Sequence, residues 1–369
     1  MWYTDLIDQI TKRPDAEISM VETDQLSKVP SFLLDRLLPD EEHTLVIEEL
    51  NSTLSKWIID PKKKNHTPVI IGSIDGSVNN FLRKFAETMG WRILGAPYES
   101  SLLTLDFKTY LSFLDIPPDQ PIVIPKLEKW FLRHHFGLNF LREMIQWLRT
   151  EKRTCVIGCQ SWAWGYLKKT MRIDKMFPFT LTMSPKDPQT LNQWLSSPGK
   201  PFKDISFTFR NTADGQPIFS LDAEPDPFVS RLAAHTRGQP WLAREIWRES
   251  LLFHDHKVAS DTALEASLKD ASCSVWIKPW DESELLNLPT NLNNADLRLI
   301  HTSLIHGGIS EATLIETFSA NPADMANQLD TLRNAGLIKQ VEDSWHVSTV
   351  KYPAIRRKLV QEGFLFDDL

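Results

Sequence analysis

Residues 67–94, "TPVIIGSIDGSVNNFLRKFAETMGWRIL", set a β-branched apolar run, a glycine-bearing turn and an amphipathic segment in the order of a phosphate-binding loop. In the pattern G-x-x-x-x-G-K-[ST], glycines let backbone N–H groups surround the phosphates, the lysine neutralises charge and the hydroxyl holds magnesium. Here Gly72 is the first glycine, Ser77 stands for the second, Val78 for the lysine and Asn79 for the hydroxyl residue. The N–H groups of Gly76, Ser77, Val78 and Asn79 still suit an anion at a helix N-terminus, while Asp75 places a negative charge beside it. Loss of one charge-assisted bond of about 1.5–3 kcal/mol weakens binding on the order of ten- to a hundredfold.

Magnesium and an attacking water need a second contribution, an apolar strand ending in Asp and then Glu. The strand in "PIVIPKLEKWFL" ends instead in Pro125 and Lys126. Glu128 follows within one turn and reads as an exposed residue at a helix start; Lys126 is the one cation that would serve if it pointed inward. With lysine, hydroxyl and both carboxylates replaced together, hydrolysis has no metal site, electrophile or base. The expectation is a retained fold without its chemistry: no catalytic residue, no metal and no cofactor, with ATP as the ligand to test. Any nucleotide would meet Gly72, Asp75, Gly76, Ser77, Val78 and Asn79.

Other chemistry-bearing residues offer less. In "HDH", His254 to His256, residues two apart point to different faces of a helix and read as a polar helix end. "RHH", Arg133 to His135, reads as a solvent-exposed helix, although an arginine such as Arg133 or Arg172 would supply charge in trans within an oligomer. Three cysteines, Cys155, Cys159 and Cys273, match no zinc spacing and suit a reduced compartment. No apolar run reaches the roughly 18–20 residues of a membrane span, and the N-terminus is too polar for a signal peptide, so a cytoplasmic protein is expected. A net charge of −7 gives no general attraction to nucleic acid or anionic lipid.

The elements that must position the loop follow from periodicity. An amphipathic helix over "EEHTLVIEELNSTLSKWI" precedes it, and Lys62 to Lys64 form a solvated loop. "PVIIG" suits a strand buried on both faces of a parallel sheet, and the next helix puts Phe81, Leu82, Phe85, Ala86 and Met89 on one side. Further strands fall at 91–95, 121–125 and 154–159. A long helix with a Leu138, Leu141, Met144, Ile145 and Leu148 stripe lies before the last of these, and another helix starts near Trp162. Alternation of this kind predicts an α/β fold with three layers and a largely parallel sheet. After about Pro185 the segments read as helical without strands between them. From Asn294, three short helices and a hairpin around Glu342-Asp343-Ser344 give a winged-helix layout. The boundaries are an N-terminal helical extension over 1–40, an α/β domain over 41–185, a helical domain over 186–290 and a winged helix over 291–369.

At this point the chain resembles the AAA+ and STAND superfamily of P-loop ATPases, from about Glu41 onward. The resemblance is carried by "VIIGSIDGSVNNFL", "PIVIPKLEKWFLRH", "TCVIGCQSW" and "LAAHTRGQPWLAREIWRESL". It implies a P-loop-type domain, a small helical lid and a winged helix. The last segment is similar to the lid motif G-x-P, here Gly238-Gln239-Pro240, which would approach a nucleotide; otherwise it is a helix with Pro in its first turn. A polar sensor residue after the fourth strand would be Gln160 or Ser161. With both nucleotide motifs altered, the resemblance implies a non-catalytic regulatory or adaptor protein; the alternatives are a weak nucleotide switch and a DNA-associated regulator.

The partner is expected to be a protein, met through the winged helix and through exposed tryptophans among the thirteen in the chain. Of Trp162 and Trp164, one reads as core and the other as interface. Leu337, Ile338 and Trp345 are either apolar anchors for that partner or the closure of a small core. Nucleic acid is the weaker partner: Glu311, Glu316, Asp324 and Asp330 face Arg333 alone, and only Lys351, Arg356, Arg357 and Lys358 argue the other way. Membrane insertion is not expected, and oligomerisation stays open.

Overall fold

The computed structural model describes residues 26–39, 45–59, 67–74, 76–197, 206–219, 224–254, 272–278, 280 and 287–367. They fall into two compact units, one of residues 1–44 with 184–286 and the other of 45–183 with 287–369.

The second unit begins with helix α1 (Leu45–Ile59), which buries Leu50, Leu54 and Trp57 at helical spacing. Strand β1 (Val69–Gly72) leads through a short turn into α2 (Ser77–Met89), followed by β2 (Arg92–Ile93) and α3 (Phe107–Ser112). Then come β3 (Ile122–Ile124), α4 (Asn139–Thr150), β4 (Cys155–Gln160), α5 (Ser161–Met171), α6 (Ile173–Met176) and β5 (Thr180–Thr182). Among the described residues the strands form one parallel sheet in the order β2-β3-β4-β1-β5.

Side-chain alternation along these strands divides the core into two layers around the sheet. Val69, Ile71, Ile124, Cys155 and Ile157 pack with Leu141, Met144 and Ile145 of α4 and Ala163 and Leu167 of α5. On the opposite face lies α2: a side chain at Gly158 would come within 2.6 Å of Leu82 Cδ1 and would overlap the Pro125 carbonyl. Glycine there is what lets helix and strand approach. The expected stripe of α2 is buried through Ala86, but Met89 is 42% exposed because the helix ends at Gly90, a left-handed cap whose N–H reaches back to Ala86 and Glu87. Strand β5 had no forecast; Thr-Leu-Thr is too short and half-exposed at the sheet edge to show a period.

The C-terminal part of this unit is α7 (Asn294–Ile305), β6 (Ile309–Ser310), α8 (Glu311–Phe318), α9 (Pro322–Asn334), the hairpin β7 (Ile338–Val341) and β8 (Ser344–Val347), and α10 (Tyr352–Gln361). Its antiparallel sheet runs β6-β8-β7, with Glu342 at positive φ in the turn, a winged-helix layout. A capping box between Asn293 and Asp296 starts α7. Leu337, Ile338 and Trp345 are all buried, so they close this core and are not available as partner anchors.

The first unit carries helices at Ser31–Leu37, Pro188–Leu195, Pro227–Thr236 and Pro240–Ser250. It also carries a sheet, which corrects the strand-free reading. Leu26–Lys28, Leu251–His254, Ser272–Ile277 and Ser206–Asn211 are neighbours in that order. Leu251 follows the helix ending at Ser250 directly, so an apolar run that looked like one helix changes structure midway. His254 is therefore in a strand; Asp255 and His256 lie outside the described residues, as do Lys62 to Lys64. No described helix is long and apolar enough to cross a membrane.

Candidate functional site

Strand β1 delivers the loop, and the loop is short. Gly72 ends the strand, Gly76 takes a left-handed conformation as the cap of α2, and Ser77 opens the helix. Asp75 lies outside the described residues. Val78 is 5% exposed, and a side chain at Gly72 would overlap its Cγ2 methyl. The position of the expected lysine is thus an apolar plug on the first glycine. Asn79, in the hydroxyl position, accepts from Arg83 Nε at 3.1 Å and donates to Asn80 Oδ1 at 3.0 Å.

The end of β3 and the end of β4 meet differently from the reading of Glu128 as an exposed residue. Glu128 is buried, and its carboxylate accepts the Gln160 N–H at 3.1 Å. Burial raises its pKa, against hydrogen bonds that favour the anion. Gln160 Oε1 is buried with no hydrogen-bond partner among the described residues. Gly307, at positive φ between α7 and β6, fits over this pair: a Cβ there would lie 2.8 Å from Gln160 Oε1 and 3.2 Å from Glu128 Cγ. Next to it Lys129 Nζ donates to the Gly308 carbonyl at 2.5 Å and to Glu99 at 3.1 Å, and Glu99 also accepts the Ser310 N–H. The winged helix therefore covers the ends of β3 and β4.

Arg133 does not stand free for a neighbour. Its backbone N–H donates to His306 Nε2 at 3.1 Å, and its guanidinium reaches Thr302 Oγ1 at 3.1 Å and His301 Nδ1 at 3.0 Å. Burial, and then nearby cations, push His301 and His306 down to about 4. Ser161, the other sensor position, donates to Asp367 at 2.7 Å; Asp367 also accepts from Tyr352 and pairs with Arg356 at 2.7 Å. Trp162 and Trp164 are both buried, and Trp162 donates to the Tyr352 hydroxyl. The described tryptophans are buried or half-buried, and Trp2 lies outside the described residues.

The remaining predicted residues, Gly238 and Pro240, belong to the first unit. The Gly238 carbonyl accepts the Lys186 N–H at 2.8 Å, and a Cβ there would come within 2.5 Å of the Lys186 carbonyl. Pro240 is the buried first residue of its helix. Within that unit both residues have a structural reason. Sequence reasoning missed Glu99, His301, His306, Gly307 and Gly308; the pair Gly307-Gly308 was the one visible signal.

The loop between β1 and α2, the insertion of β4 between β1 and β3, and the C-terminal winged helix together decide the architecture. It is the P-loop-type α/β arrangement that the sequence led us to expect, a parallel sheet with the loop at the end of its β1 strand. Three solved structures are similar to the chain over most of its length at low identity. The RuvB Holliday junction branch migration motor of Thermotoga maritima is 10% identical, with 88% of this chain and 99% of that one covered and a TM-score of 0.34. The ORC1 protein of Aeropyrum pernix, solved in complex with DNA, is 13% identical over 93% and 100% of the two chains, TM-score 0.37. Cdc6p of Pyrobaculum aerophilum is 13% identical over 96% and 98%, TM-score 0.29. No family model and no curated protein matches.

Proposed function

We propose that this AAA+-like chain is a non-catalytic regulatory or adaptor protein that acts through protein contacts. The observation that carries the reading is Val78, buried on Gly72 where the phosphate-binding lysine would stand. Pro125 and Lys126 at the end of β3 support it, since neither ligates magnesium. Glu128, the nearest carboxylate, is held by Gln160 and covered by Gly307.

Support for a protein partner comes from the wing. Strand β7 is at the sheet edge, and Lys339, Gln340 and Val341 are exposed along it, so its backbone is open to pairing. Support for a DNA reader is weaker than the basic cluster suggested. Arg356 is paired with Asp367, Lys358 with Glu362, and Lys351 Nζ donates to the Asn287 carbonyl. A calorimetric titration of the full chain with ATP, with and without magnesium, tests the reading. No magnesium-dependent binding is expected. Tight magnesium-dependent binding that changes protease sensitivity would establish a nucleotide switch instead.

A further inference from the structure

Beside the loop, the second unit holds a cavity of about 580 Å³ at the carboxyl ends of β2 and β3. Residues 94–100 form one wall, Pro125, Lys126, Lys129 and Trp130 another, and the start of α8 a third. None of the described loop residues lines it. Its size is that of a small-molecule site, and the carboxyl ends of parallel strands are where open α/β sheets bind ligands.

Three cations, Arg83, Lys126 and Lys129, face one carboxylate, Glu99. Glu99 already serves Lys129 and the Ser310 N–H. Burial works to raise its pKa, but Lys129 and the Ser310 bond hold it below the usual range. Lys129 and Glu99 thus offset each other, which leaves Arg83 and Lys126. Arg83 gives Nε to Asn79, and its terminal nitrogens have no acceptor among the described residues. The Lys126 ammonium makes neither a hydrogen bond nor an ion pair with any described residue. Burial lowers its pKa, with Glu128 and, more weakly, Glu342 opposing and Lys129 and Arg83 adding to the fall. A half-buried ammonium beside like charges, with nothing to accept its protons, is unfavourable until an anion arrives.

We propose that this cavity binds a small organic phosphate, its dianion between Lys126 and Arg83 and its body against Ala96, Pro97 and Pro125. Two cations on separate elements with donors left over match a dianion better than a single carboxylate, and a guanidinium edge beside a lysine point charge is a common phosphate pairing. The apolar wall suits an organic body over the free ion. The site is separate from the phosphate-type loop and does not depend on it.

Phenyl phosphate and inorganic phosphate are the probes, titrated calorimetrically into the full chain. Phenyl phosphate is expected to bind the more tightly. Lys126→Met and Arg83→Gln are each expected to weaken it about ten- to a hundredfold. Arg149→Gln, outside the cavity, and Gly76→Trp, in the loop, are expected to leave it unchanged. Thermal melts check folding, and Arg83, exposed on α2, remains informative if Lys126→Met does not fold. No binding, binding that both cavity variants keep, equal affinity for inorganic phosphate, or loss on Gly76→Trp would each overturn the assignment.

Discussion

The Val78 Cγ2 methyl occupies the place where a side chain on Gly72 would begin. The two residues are therefore complementary, one without a side chain and the other apolar and buried. Gly72→Ala should destabilise the second unit by about 1–3 kcal/mol through overpacking, and Val78→Ala by about 2 kcal/mol through lost burial and a cavity. Combined, they should cost less than the sum, with a coupling of about 0.5–3 kcal/mol. Urea unfolding of the four proteins measures this, and strict additivity would mean the two side chains do not share the space.

The same relation governs an attempt to restore the loop. Val78→Lys with Asn79→Thr removes the plug and returns both the cation and the hydroxyl. ATP affinity should rise from nothing measurable to a value calorimetry resolves. If a folded double variant gains none, the turn from Gly72 to Ser77 has a shape other than a phosphate cradle.

Gly307 is the tightest point between the winged helix and the ends of β3 and β4. Gly307→Ala adds a methyl 2.8 Å from Gln160 Oε1 as well as the strain of φ +56°. Gly336→Ala carries a similar strain, at φ +69°, into open space and should cost only about 1–2 kcal/mol. The Gly307 variant should lose clearly more stability and open the 287–367 segment to limited proteolysis. Equal losses would mean that the contact over Glu128 contributes nothing.

Acidity should loosen the same contact. His301, His306 and His346 are each lowered to about 4, chiefly by burial and secondarily by Arg133 or Lys129. An unfolded histidine titrates near 6.5, so as pH falls the unfolded chain binds protons first. Their stabilisation is complete above about pH 6.5 and is lost between there and about pH 4. Glu128, raised by burial, works in the opposite sense, contributing at low pH and losing its contribution as pH rises through its folded value. Glu99, held low at the same contact, acts with the histidines; the urea midpoint should be lower at pH 5 than at pH 7, and His306→Asn should flatten the difference. An identical pH response in wild type and His306→Asn would contradict a contribution from the buried His306 ring.

Long apolar elements were legible in the sequence because their periods are set by local geometry. The α4 stripe and the β-branched β1, β3 and β4 repeat at helical or strand spacing whatever they pack against. Strand β5 and the strands of the first unit were not legible, since a three-residue edge or a helix running straight into a strand leaves no period of its own. At the site, the replacement of lysine by Val78 could be read directly. The burial of Glu128 could not: it depends on Gly307, 179 residues away, and such an encounter leaves no trace in the spacing around residue 128. Arg356 illustrates the same point, because a basic cluster in sequence became an ion pair once Asp367 folded back onto it.

The most direct measurement is phosphate release from ATP by the full chain with magnesium, run beside Gly76→Trp. A Cβ at Gly76 meets nothing within 4 Å, so this variant puts a bulky ring beside the loop N–H groups, with the strain of a left-handed backbone. With Val78 and Asn79 in place of the lysine and hydroxyl residue, and Pro125-Lys126 in place of the acidic pair, both proteins should release phosphate at the buffer rate. Magnesium-dependent turnover that scales with protein concentration and disappears in a folded Gly76→Trp variant would contradict the account.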